Sequence, residues 1–93
     1  MNLKEYLIEK HGYDPKNVDL MVGRLEALTD EFKMALYQWV ETEEPVSPGE
    51  YFGYTVTKLM QEHGMNYPAA LTTLDWIARN GEKAVREIEK GIK

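Results

Sequence analysis

The chain has 93 residues, with 11 Lys+Arg against 16 Asp+Glu and a formal net charge of −5 at pH 7. That length suits one domain rather than two, and 43% hydrophobic with 11% aromatic content suits a packed core rather than a disordered tail. The lack of cysteine excludes a disulfide framework, a cysteine zinc site and a cysteine nucleophile, and no apolar run approaches the roughly 20 residues of a membrane-spanning helix.

Met1-Asn2-Leu3-Lys4-Glu5 lacks the basic-then-apolar layout of a secretion signal, so a single acidic domain over residues 1–93 in a cytoplasmic setting is expected. Asn2 with Glu5 three residues on reads as a capping box, each side chain reaching N–H groups that the first turn leaves free. Leu3, Tyr6 and Leu7 form a helical stripe that stops at Gly12. Asp14-Pro15 offers an N-cap and a proline at the first helical position, where its missing N–H costs nothing, so a helix is expected to start there. Val18, Met21, Leu25 and Leu28 alternate three and four apart and share one face. Phe32, Ala35 and Trp39 prolong that stripe, which allows one helix to about residue 42. Thr29 followed by Asp30 and Glu31 reads instead as a second N-cap with an acidic first turn, and favours a corner near Thr29.

Glu41-Thr42-Glu43-Glu44-Pro45-Val46 reads as a loop. Ser47-Pro48-Gly49-Glu50 supplies a cap, a proline and a glutamate, and predicts a helix that carries Phe52, Val56, Leu59, Met60 and His63 on one face as far as Gly64. Its rival is a strand over 51–57, where aromatic and β-branched residues gather. Asn66, Tyr67 and Pro68 open a further helix with Leu71, Leu74, Ile77 and Ala78 inward. Asn80-Gly81 ends it, both residues tolerating the left-handed conformation of a helix C-terminus. A last helix from Glu82 carries Val85, Ile88 and Ile92, with the pairs Glu82–Arg86 and Lys83–Glu87 four apart.

The expected fold is all-α, a compact bundle or orthogonal array of five or six short helices, because short loops make sequential helices neighbours. The expected core is Leu3, Leu7, Val18, Met21, Leu25, Leu28, Phe32, Leu36, Trp39, Val56, Leu59, Leu71, Leu74, Ile77, Val85 and Ile88. An internal likeness runs through it. Leu7-Ile8-Glu9-Lys10-His11-Gly12-Tyr13-Asp14-Pro15 is similar to Leu59-Met60-Gln61-Glu62-His63-Gly64-Met65-Asn66-Tyr67-Pro68, the second copy having one extra residue before proline. Each has a histidine at the negative end of a helix dipole, a glycine for the left-handed cap, an apolar residue to fold back, and Asp or Asn to cap the next helix. This implies two similar helix–corner–helix halves, by duplication or because any helical corner selects these residue types.

Residues for chemistry are few. His11 and His63, the only histidines, both precede a helix-ending glycine and have neither a neighbouring cysteine nor the four-residue spacing of a helical metal site. Ser47, the single serine, lacks the glycine-flanked elbow of a hydrolase. No glycine-rich phosphate loop is present. Glu41, Glu43, Glu44 and Glu50 are interrupted by Pro45 and Pro48, which suits a solvated acidic loop, or a negative patch for a basic partner, better than a calcium loop. No catalytic residue, cofactor or metal ligand is assigned, and the chain is not expected to be an enzyme. Its aromatics are more informative. Tyr51, Phe52 and Tyr54 lie too close in sequence to share one helix face, as do Tyr37 and Trp39, and Tyr67 and Trp76 pose the same problem. Some of these rings should be exposed, as in protein interfaces. The interaction candidates are Glu41, Glu43, Glu44, Glu50, Tyr51, Tyr54, Tyr67 and Trp76.

Residues 55–65 running into 66–76 look like a helix-turn-helix, with an apolar-faced helix, a glycine turn and a second helix. The resemblance covers about a quarter of the chain, and it implies a nucleic-acid-binding regulator reading through residues 55–79. The second helix, 67–79, departs from that pattern: it carries Asp75, with Arg79 its one cation for phosphate. Residues 79–93 hold five Lys/Arg against three Glu, leaving the rest at −7, and an acidic domain starts at a disadvantage on DNA. The expected function is therefore a non-enzymatic protein-interaction module or small regulator from a bacterium, phage or mobile element. A sharper version is an inhibitor presenting carboxylates in place of phosphates. The expected partner is a protein, with neither nucleic acid nor membrane, and the chain is expected to be a monomer or small homo-oligomer.

Overall fold

The computed structural model describes residues 2–91. Among them the chain is all-α, with six helices: α1 (Leu3–His11), α2 (Val18–Glu26), α3 (Asp30–Thr42), α4 (Val56–His63), α5 (Tyr67–Asn80) and α6 (Glu82–Gly91). No described helix is long and apolar enough to cross a membrane. The chain divides into two compact units, Met1–Val46 with α1 to α3 and Ser47–Lys93 with α4 to α6. The two glycine corners fall one in each.

In the first unit, the Asn2 side-chain oxygen accepts the Glu5 N–H at 2.8 Å, and its Nδ2 donates to the Glu5 carboxylate at 3.3 Å. The capping box thus closes through the asparagine side chain. Gly12 takes the left-handed conformation (φ 68°, ψ 24°), which lets its own N–H and that of Tyr13 both reach the Leu7 carbonyl. Asp14-Pro15 does not start the next helix. Residues 15–17 form a turn, in which the Asp14 carboxylate accepts the Lys16 N–H at 2.9 Å and the Asp14 carbonyl accepts those of Asn17 and Val18. An Asp directly before proline is pushed out of helical backbone and folds its side chain onto the residue two further on, so α2 begins only at Val18. The corner near Thr29 is present, with Thr29 extended (φ −65°, ψ 161°) ahead of α3. Each helix here packs on both others. Their core is Leu3, Tyr6, Leu7, Val18, Leu25, Leu28, Phe32, Ala35, Leu36 and Trp39. Met21, expected inside, is half-buried.

In the second unit, Ser47-Pro48-Gly49-Glu50 does not open a helix. The Ser47 hydroxyl donates to the Gly49 carbonyl at 3.2 Å instead of accepting from the chain ahead. Gly49 (φ 146°), Phe52 (φ 52°) and Gly53 (φ 85°) all leave helical backbone. Tyr51 and Tyr54 exchange both N–H···O bonds at 2.9 Å around Phe52-Gly53, whose paired positive φ angles are those of a type I′ hairpin turn. That single antiparallel bridge is all the strand character there, and Phe52 is no part of a helix face. The helix starts at Val56, where the Thr55 hydroxyl accepts the Lys58 N–H at 3.1 Å. Gly64 (φ 66°, ψ 21°) repeats the Gly12 corner, with its own N–H and that of Met65 on the Leu59 carbonyl. Asn66 caps α5 by accepting the Ala69 N–H at 3.0 Å. Asn80 remains helical and donates its side-chain amide to the Trp76 carbonyl at 2.9 Å, so the break before α6 belongs to Gly81 alone (φ 62°, ψ −136°).

Helices α4 and α6 each pack on α5. Two packed sides explain why half of α5 is buried: Tyr67, Pro68, Ala70, Leu71, Leu74, Asp75 and Ile77. Val56, Leu59, Ala84 and Ile88 complete this core, while Val85 is half-buried. Ile92 lies outside the described residues.

Candidate functional site

Helix α3 assembles the most distinctive surface of the first unit. Its inward stripe, Phe32, Ala35, Leu36 and Trp39, is committed to the core. Residues three and seven positions apart on the remaining face, Met34, Tyr37 and Glu41, therefore point outward together. Met34 is 71% and Tyr37 50% exposed, and as neighbours one turn apart they leave an apolar patch on this face. Tyr37 also lines a groove of about 420 Å³, together with Leu3, Lys4, Val22, Glu26 and Glu41. Lys4 is held by Asp19 at 3.0 Å. Among the described residues no cation pairs with Glu26 or Glu41.

The end of α3 adds two further carboxylates, on Glu43 and Glu44, both exposed. Glu43 closes the helix in the left-handed conformation (φ 62°, ψ 15°), which costs an L side chain about 1–2 kcal/mol. At the two equivalent corners, Gly12 and Gly64, glycine avoids that cost. Under this end of the helix lie three rings: Tyr6 meets Trp39 edge-on at 4.9 Å, and His11 lies against Trp39 at 4.7 Å. Burial, and secondarily the charge of Glu43, raise the Tyr6 phenol above its ordinary pKa.

The sequence-derived candidates separate on this structure. Glu41, Glu43 and Glu44 gather at the end of α3, whereas Glu50 is exposed just ahead of the hairpin in the other unit. Tyr51 is half-buried. Tyr54 and Tyr67 are buried, 8% and 3% exposed, and do not belong to a surface site. Tyr54 is fixed by its bridge to Tyr51, with the Lys58 ammonium 4.8 Å from its ring centre. Tyr67 opens α5, the helix with two packed sides. Trp76 is 39% exposed and borders a groove of about 270 Å³ with Met65, Thr73 and Ile88. Met34, Tyr37 and Glu26 were not among the candidates. Their signal was available in part, since Met34 and Tyr37 fall off the Phe32–Ala35–Leu36–Trp39 stripe.

Among the described residues no three His, Asp or Glu side chains gather as a metal site. His63 has its Nδ1 buried without a hydrogen-bond partner, 6.0 Å ring to ring from Tyr54. Among the described residues no ion pair joins either histidine to a carboxylate. On α5, Arg79 donates Nε to the buried carboxylate of Asp75 at 2.9 Å, which ties up the one cation that helix could offer to phosphate. Compared with known protein families, curated proteins and solved structures, the chain matches none.

Proposed function

We propose that the protein is a non-enzymatic interaction module that acts by binding another protein through the outer face of α3. The observation that carries this reading is the exposure of Met34 and Tyr37 on one face of α3, with Tyr37 lining a groove that Glu26 and Glu41 also line. Interfaces favour Tyr and Met at their centres, ringed by polar residues. Glu43 supports it. Its side chain is exposed at the groove's end of α3 and sits on left-handed backbone that glycine would occupy at lower cost, a kind of strain found at functional positions.

The test is affinity capture from the native cell with the wild-type chain and with a Met34→Ser/Tyr37→Ser variant. Circular dichroism should show both folded, since exposed positions contribute little to stability. A partner held by the wild type and lost by the variant is expected. A partner held equally by both would place binding elsewhere and overturn this assignment.

A further inference from the structure

We infer that the groove of the first unit receives a basic, amphipathic protein segment, one with a lysine or arginine next to an apolar side chain. This rests on the proposed interaction function and names the partner's chemistry. Charge is the first argument. The first unit holds five Lys/Arg against ten Asp/Glu, a net −5, while the second holds six of each and is neutral. The entire excess charge of the protein therefore sits on the unit that carries the groove. The second argument is local. The groove has apolar walls from Leu3, Val22 and Tyr37, and carboxylates from Glu26 and Glu41. Its one lysine, Lys4, is turned to Asp19, so it does not neutralise the two glutamates. An aliphatic stem ending in a cation fits such a lining, the stem lying on the apolar wall and the charge at the carboxylate edge. Tyr37 offers a ring face for the same cation.

An acidic segment would meet like charge at the groove edge, and a purely apolar one would leave Glu26 and Glu41 to be desolvated unpaired. Nucleic acid is disfavoured by the same carboxylates.

The test titrates three synthetic peptides into the whole isotope-labelled chain, followed by NMR. One alternates leucine with lysine and arginine, the second replaces every cation by glutamate, and the third replaces every leucine by serine. The first peptide should shift the amides of Val22, Tyr37 and Glu41. It should bind at least about tenfold more tightly than either control, and weaken as salt rises. Glu26→Gln/Glu41→Gln should reduce its affinity about tenfold while the amide spectrum of the free protein stays folded. Equal binding by the glutamate peptide, indifference to the double substitution, or shifts confined to the second unit would overturn the inference. So would concentration-dependent self-association through this groove with no peptide bound. A cellular partner that is lost with Met34→Ser/Tyr37→Ser yet unaffected by Glu26→Gln/Glu41→Gln would sink this inference and leave the interaction function standing.

Discussion

The two units answer one local problem in two ways. Each turns a short helix at a left-handed glycine, Gly12 or Gly64, with nearly identical dihedral angles and the same pair of N–H groups on a leucine carbonyl. They diverge within three residues. Where proline directly follows Asp14, the acid closes an Asx turn and delays α2 to Val18. Where Tyr67 intervenes between Asn66 and Pro68, the amide reaches one residue further and α5 starts at once. One inserted residue thus separates a helix that starts three residues late, α2, from one that starts at once, α5. Helix α5 packs neighbours on two sides, whereas α1, α2 and α3 close into a mutually touching trio. A glycine corner specifies that the chain turns. The cap-to-proline spacing decides whether a helix starts at once beyond the turn.

The largest effects should come from the leucines that serve the two corners. Leu7 and Leu59 are fully buried, and Leu7→Ala and Leu59→Ala should each cost about 2–5 kcal/mol. Urea unfolding read through tryptophan fluorescence separates them, because Trp39 is buried in the first unit and Trp76 half-exposed in the second. A loss confined to one tryptophan's transition would show units that unfold independently, and coincident transitions would show a single cooperative event. Gly12→Ala and Gly64→Ala should come next, at about 1–2 kcal/mol each, since both positions are left-handed and both have room for a Cβ. Unequal costs would mean that the matching geometry hides different surroundings.

Glu43→Gly should raise stability, by about 1 kcal/mol from removal of the left-handed strain, and raise the melting temperature. If Glu43 serves binding, the same variant should hold its partner less well, a combination that a purely structural residue would not show. The smallest effect is at alkaline pH. The Tyr6 pKa is raised in the folded state, so its stabilising share is complete below the ordinary phenol value of 10.0 and is lost as pH climbs through the higher folded value. Alkaline titration of stability should therefore fall less steeply in Tyr6→Phe, with Trp39, 4.9 Å from that ring, as the local reporter.

Much of this fold was legible because backbone chemistry and hydrophobic spacing agreed. Gly12, Gly64 and Gly81 end helices, Asn2 and Asn66 cap them, and the stripe from Val18 to Trp39 breaks at Thr29, where an acidic first turn begins. Legibility failed where one residue type serves two geometries. Asp-Pro and Ser-Pro both start helices and both make turns, and Gly49 and Gly53 tip residues 47–54 toward the latter. The surface was harder to read. Tyr54 and Tyr67 looked exposed because a helical wheel cannot anticipate a hairpin, or a helix packed on two sides. The same packing hides Asp75 with Arg79 as its counter-ion. Glu26 joined the groove through the packing of α2 on its neighbours, which no spacing along the chain encodes.

The ring of Phe52 lies directly over Gly81. A Cβ added there would sit 3.1 Å from its outermost carbon. The hairpin ahead of α4 is thereby clasped to the joint between α5 and α6, a distant point along the chain. Amide protons at Tyr51 and Tyr54 should accordingly exchange with solvent on the slow schedule of those helices, and Phe52→Ala should unfasten them while leaving the exchange of Leu71 and Leu74 untouched.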